Sequence, residues 1–133
     1  MSDFPGPPAP SLRLLVVEDE ESLREVTVEV LAKAGYEVVP AEDGAQAVQH
    51  FAQSPDSFAL VILDLSMPVM GGAECFRHLR ALRSDVRVLL TSGYGTPEAG
   101  GNLDADLLAG YLQKPYRIGE LLAAVKAALG PNG

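Results

Sequence analysis

The sequence predicts an α/β fold, a doubly wound parallel sheet of five strands with five helices on its two faces. Three observations carry that prediction. Short apolar runs alternate with longer amphipathic stretches from Leu12 onward, the pattern of consecutive strand–helix–strand units. The central runs, Leu14-Leu15-Val16-Val17 and Phe58-Ala59-Leu60-Val61-Ile62-Leu63, are continuously apolar rather than alternating, as expected of strands covered on both faces. Crossovers between parallel strands are right-handed, which leaves few topologies open.

Each element has its own signal. Residues 12–17 form the first strand. Over residues 20–34, apolar side chains recur at Leu23, Val26, Val30, Leu31 and Ala34, a helical spacing. Gly35 follows, where a helix end wants a left-handed residue. Residues 36–39 are the second strand. Residues 43–53 are a helix that turns Ala47, Val48 and Phe51 inward, and Ser54-Pro55-Asp56-Ser57 is a turn. The third strand is 58–63, the third helix 73–82 and the fourth strand 86–90. Pro97 suits the first turn of a fourth helix, with Thr96 as its cap. Gly95, Gly100 and Gly101 weaken that helix, since an interior glycine costs about 1 kcal/mol relative to alanine. Residues 111–113 are the fifth strand. Ile118, Leu121, Leu122, Val125 and Leu129 mark the fifth helix, which stops before Gly130-Pro131.

With 133 residues, 47% of them hydrophobic, the chain is long enough for one domain with a real core. Residues 1–11 are rich in proline and read as a disordered arm or linker, 12–130 as the domain, and 131–133 as a tail. A net charge of −8 argues against a binder of nucleic-acid backbones, which needs a basic surface. Cys75 is the only cysteine, so no internal disulfide and no cysteine metal cluster are expected. A reducing compartment suits it, and Cys75 reads as a half-buried structural thiol. The first residues lack a basic start followed by an apolar stretch, so neither a signal peptide nor a membrane anchor is expected. No apolar run approaches the roughly 20 residues needed to span a bilayer. The expected setting is the cytoplasm, without membrane contact.

The strand ends carry the chemistry. Glu18-Asp19 follows the first strand, Asp64 the third, Thr91-Ser92-Gly93 the fourth and Lys114-Pro115 the fifth. Parallel strands point their C-terminal ends to one rim, where ligands of such sheets bind. Three acids, a hydroxyl and an amine therefore converge. An acidic pocket of this kind calls for a cation, and with a cation it suits phosphoryl chemistry. His50 and His78 lie on amphipathic helices, away from every strand end, and read as ordinary helix residues. Glu20 and Glu21 favour the first helix's N-terminus through its dipole.

Four segments resemble the receiver (response-regulator) domain family of two-component signalling. They are Leu14-Leu15-Val16-Val17-Glu18-Asp19-Glu20, Val61-Ile62-Leu63-Asp64-Leu65-Ser66-Met67-Pro68-Val69-Met70-Gly71-Gly72, Val88-Leu89-Leu90-Thr91-Ser92-Gly93-Tyr94 and Leu112-Gln113-Lys114-Pro115-Tyr116. The resemblance covers residues 12–129. It implies a flavodoxin-like sheet with strand order 2-1-3-4-5. It also implies that Asp64 accepts a phosphoryl group from a phosphohistidine on a histidine kinase or its phosphotransfer domain. Mg²⁺ would be held by Glu18, Asp19, Asp64 and the backbone carbonyl of Ser66, since Mg²⁺ takes one or two carboxylates plus phosphate oxygens and keeps several waters. Lys114 would meet a phosphoryl oxygen, and the Lys114–Pro115 bond would be cis.

The resemblance further assigns Ser92 as the switch hydroxyl, in preference to Thr91 because Gly93 follows it. Gly93 leaves room for the phosphoryl group and offers its N–H. Tyr111 is the aromatic partner of the switch, and the surface of the fourth helix, fifth strand and fifth helix is its output. Met67-Pro68 and Gly71-Gly72 shape the loop after Asp64. Ser66 and Tyr94 flank the phosphoryl position, where the bulk of Tyr94 would slow water. The output partner is a downstream protein or the chain's own hybrid kinase. The Thr91-Ser92-Gly93-Tyr94 and Lys114-Pro115-Tyr116 segments look like the hybrid-kinase kind.

Such a module phosphorylates and dephosphorylates itself and is not a conventional enzyme. Other functions fit less well. A Mg²⁺-dependent aspartyl-phosphate phosphatase usually has a second acid two residues after the nucleophile, and here Ser66 stands there. A flavodoxin-like cofactor binder needs a phosphate loop after the first strand, where this chain has acids. A degenerate receiver acting only as an interaction scaffold would have lost key residues, and all are present.

Overall fold

The computed structural model describes residues 12–65, 71–93 and 108–130. Its elements in order are β1 (Arg13–Val17), α1 (Glu21–Lys33), β2 (Glu37–Ala41), α2 (Gly44–Gln53), a 3₁₀ turn (Pro55–Ser57), β3 (Phe58–Asp64), α3 (Gly72–Leu82), β4 (Val88–Ser92), β5 (Gly110–Gln113) and α4 (Ile118–Leu129). The fifth helix expected from sequence is α4. The helix expected after Pro97, the arm, the tail, Ser66, Met67-Pro68 and Tyr94 lie outside the described residues. Among the described residues no helix is long and apolar enough to cross a membrane.

The five strands pair in parallel in the order β2-β1-β3-β4-β5, as the resemblance implied. Edge position explains how β2 tolerates Pro40, which has no N–H to give a central ladder. Alternation along each strand sends side chains to two separate cores. Leu15, Val17, Val61, Leu63, Val88 and Leu90 pack with Ala47, Phe51, Cys75, Phe76 and Leu79 from α2 and α3. Leu14, Val16, Leu60, Ile62 and Leu89 pack with Leu31 from α1 and Leu121, Val125 and Leu129 from α4. Both faces of the sheet are covered, so the central runs of β1 and β3 are apolar at successive positions. Each such side chain contributes about 1.5–3 kcal/mol on full burial.

Local signals explain the helix ends. Asp43 caps α2, its carboxylate accepting the Gln46 N–H at 2.8 Å. Gly35 has φ +105°, the left-handed conformation expected after α1. Val26 fits the helical period of α1 and is 49% exposed, while the residues α1 buries are Thr27 and Leu31. Val26 and Val30 line a groove with Ile118 and Leu122 of α4, and Val30 also packs against the core on that face of the sheet. Cys75 is fully buried, not half-buried, with its S–H directed at the Gly44 carbonyl, 3.8 Å away. Burial, then the charges of Glu74 and Asp43, push its thiol up to about 12.

α3 begins hard against the strand end that carries Asp64. A Cβ on Gly72 would lie 2.6 Å from the Leu65 Cα and 2.7 Å from the Asp64 carbonyl oxygen, whereas one on Gly71 would meet only the Leu65 carbonyl oxygen at 4.0 Å. The Gly72 N–H donates to that Leu65 carbonyl at 2.9 Å. Gly72→Ala is therefore predicted to cost roughly 1–3 kcal/mol in urea denaturation, as overpacking does, and Gly71→Ala about 0.5 kcal/mol or less. Equal costs at the two positions would contradict this packing. Cys75 is predicted to resist thiol reagents at neutral pH in the native protein and to react once unfolded, because the thiolate is the nucleophile. Rapid native labelling would show that the thiol is not sealed in.

Candidate functional site

Register brings the strand ends together. Val17 pairs with Leu63, Asp64 with Thr91, and Ser92 with Gln113, so the residues that follow β1, β3, β4 and β5 share one rim. The chain stays pinned there after the strands stop. The Glu18 N–H donates to the Ala41 carbonyl at 3.1 Å, the Leu65 N–H to Thr91 at 2.8 Å, and the Lys114 N–H to Ser92 at 2.7 Å.

Carboxylate oxygens of Glu18, Asp19 and Asp64 all lie within 4.8 Å of one another. Glu18 and Asp64 are buried and Asp19 is exposed. The Lys114 ammonium sits 2.7 Å from Glu18 Oε1 and 3.4 Å from Asp64 Oδ1. Burial works against its charge, but the hydrogen bond to Glu18 and the field of Asp64 outweigh burial and hold its pKa above the ordinary 10.5. Buried carboxylates are costly unless paired, so Lys114 is what allows two of them to share this rim. One ammonium does not balance three carboxylates. The donor atoms are all hard oxygens, a set that fits a hard divalent cation of the Mg²⁺ type.

The remaining expected residues surround this cluster. The Lys114–Pro115 bond is cis, as the resemblance implied. Ser92 is fully buried at the end of β4, and Thr91 is buried opposite Asp64. Gly93 comes next, and among the described residues a Cβ there would meet nothing within 4 Å. Tyr111 pairs with Leu90, two positions before the Ser92–Gln113 pair. Strand alternation therefore puts Tyr111 and Ser92 on one face of the sheet, and Tyr111 packs partly buried against the core beneath α2 and α3. Glu20 stands at the N-terminal boundary of α1 without a capping side-chain bond, and its N–H donates to Glu18 Oε2 at 3.1 Å. His50 and His78 sit on α2 and α3 outside the cluster, with His78 3.6 Å from Glu74. Ser66, expected to lend a backbone carbonyl, lies outside the described residues.

Three contributors were not singled out from sequence. Arg24 donates to the Glu18 carbonyl at 2.9 Å and lies 3.7 Å from Glu42. A cation near the start of a helix opposes the helix dipole, and that was the available signal. Burial holds the Tyr116 phenol above its ordinary pKa, with Thr27 beside it working the other way. These residues are 89 positions apart, and nothing local in the sequence announces their meeting.

Known proteins place this arrangement. The response regulator receiver domain model matches residues 14–126. The chain is 34% identical over 119 residues to the sensor kinase CckA of Brucella abortus, covering 90% of this chain and 13% of CckA. It is 30% identical over 117 residues to the response regulator receiver protein CpdR of the same species, covering 88% of this chain and 96% of CpdR. It spans about half the length of other regulators it matches. Among solved structures, the response regulator TrrA of Thermotoga maritima in complex with Mg²⁺-BeF superposes with a TM-score of 0.77 at 32% identity, covering 88% of this chain and 98% of TrrA. TrrA has also been solved in complex with the histidine kinase ThkA, with a TM-score of 0.76 over 90% of this chain and 99% of TrrA. By sequence, by sheet order and by the acids at its rim, this chain belongs to the response regulator receiver domain family.

Proposed function

We propose that the domain is a Mg²⁺-dependent phosphoacceptor, with Asp64 as the residue that takes the phosphoryl group. The observation that carries this reading is the Lys114 ammonium lodged between Glu18 and Asp64 beside Asp19. An Asp64 carboxylate oxygen attacks phosphorus of a phosphohistidine. A P–O bond forms, the P–N bond breaks, and the imidazole leaves. A bound cation supplies neutralisation of the charge shared between nucleophile and phosphoryl oxygens. Glu18, Asp19 and Asp64 would hold it, joined by the Ser66 carbonyl that the resemblance implies.

The chain's own groups do the rest. Lys114 moves its hydrogen bonding from carboxylate to a phosphoryl oxygen, a role its flexible stem allows. Ser92 donates its hydroxyl to another oxygen, and the Gly93 N–H to a third. Tyr111 follows Ser92, and the surface containing β5 and α4 reports the change. Water attack on phosphorus restores Asp64, so the protein completes a switch cycle and is not a conventional enzyme.

The kinase partner is proposed from TrrA's complex with ThkA, and the metal from TrrA's complex with Mg²⁺-BeF. Similarity to CckA suits a receiver within a hybrid kinase, and similarity to CpdR suits a receiver acting alone. The cytoplasm is the proposed setting, and a protein rather than a nucleic acid the proposed output.

The test is incubation with Mg²⁺ and a small phosphodonor or beryllofluoride, beside Asp64→Asn. Acid-labile phosphate and a Mg²⁺-dependent change in tyrosine fluorescence are expected in the wild type alone. Neither signal in the wild type would sink the reading.

Lys114→Met is predicted to cost roughly 3 kcal/mol in metal-free buffer, because it removes the cation paired with two buried carboxylates, and Mg²⁺ is predicted to restore part of that loss. The pH dependence follows from the raised pKa. Stability from Lys114 is fully present below its unfolded value near 10.5 and is lost as pH rises through the higher folded value. The wild-type advantage over Lys114→Met should hold constant up to about pH 10.5 and shrink above it. An advantage that grows with alkaline pH would contradict the ion pair.

A further inference from the structure

We propose that Arg24 is a positioning residue for the cation site, fixing the peptide from which Asp19 projects. The inference rests on the cation-binding reading of Glu18, Asp19 and Asp64. Asp19 is exposed, so its direction is set by the backbone that carries it rather than by packing. That backbone is gripped on both sides. The Glu18 N–H donates to the Ala41 carbonyl at 3.1 Å, and the Glu18 carbonyl, in the peptide that leads into Asp19, accepts from Arg24 Nη1 at 2.9 Å.

Arg24 is itself held. Its side chain is 12% exposed, and Nη2 lies 3.7 Å from Glu42 Oε1. Glu42 is fixed by Gln46, whose Nε2 donates to Glu42 Oε2 at 2.9 Å and whose Oε1 accepts the Glu42 N–H at 3.0 Å. The guanidinium thus ties the loop after β1 to the loop after β2. Its fork reaches two acceptors at once, which the single point charge of a lysine does not do as well. It also stands near the start of α1, where the helix dipole opposes a cation. The hydrogen bond to Glu18 and the charge of Glu42 offset that opposition.

Charge and geometry predict opposite signs here. As a mere positive charge near a cation site, Arg24 would repel the metal, and its removal would tighten binding. As a positioning residue, it resembles the outer partners of metal ligands, whose loss typically weakens binding about 10–100-fold.

The measurement is Mg²⁺ affinity by calorimetric titration of the full chain, with folding of each variant checked by urea denaturation in chelator. Arg24→Met is expected to weaken Mg²⁺ binding about tenfold. Arg24→Lys keeps the charge and is expected to fall between the wild type and Arg24→Met. Unchanged or tighter binding in Arg24→Met, or wild-type affinity in Arg24→Lys, overturns the proposal. The lysine variant keeps the test open should the methionine variant not fold. A wild type that binds no Mg²⁺ would instead overturn the cation-binding reading itself.

Discussion

Lys114 lies 2.7 Å from Glu18 and 3.4 Å from Asp64, and the rim of the sheet is organised around that contact. The three residues follow or end β5, β1 and β3, so their meeting requires the parallel order β2-β1-β3-β4-β5 and its register. Two apolar cores provide the rigidity that keeps the rim aligned. The opposing terms are large. Desolvation penalises each buried charge, and the ammonium repays the penalty only while it stays within hydrogen-bonding reach.

The surroundings limit how far anything else can move. Gly72 brings α3 up against the Asp64–Leu65 backbone, the Lys114 N–H is bonded to the Ser92 carbonyl, and Arg24 grips the Glu18 carbonyl. These contacts hold the backbone at Asp64–Leu65, at Lys114 and at Glu18. Ser92 and Tyr111 share a face of the sheet, at the edge opposite β2.

Much of this was legible in the sequence because it depends on local pattern. Continuous apolar runs locate β1 and β3, and a carboxylate at the end of each run locates the rim. Gly35 marks the end of α1 by the conformation it alone adopts cheaply. What was not legible depends on contacts between elements. Val26 fits the helical period of α1 yet lines a groove with α4, because periodicity gives the apolar stripe and not what the stripe meets. Cys75 is sealed completely by the meeting of α2 and α3. Gly72 reads as a loop glycine until the Leu65 backbone is found 2.6 Å from its missing Cβ. Arg24 matters through a carbonyl, and carbonyls leave no trace in a sequence.

The central claim is that Asp64, among three clustered carboxylates, is the one that becomes phosphorylated. Borohydride reduction after incubation with a small phosphodonor reduces the acyl phosphate and so marks the phosphorylated side chain, which mass spectrometry then locates. The account predicts a Mg²⁺-dependent mark on Asp64 alone. A mark on Glu18 or Asp19, or a mark on Asp64 that is equally strong without Mg²⁺, would contradict it.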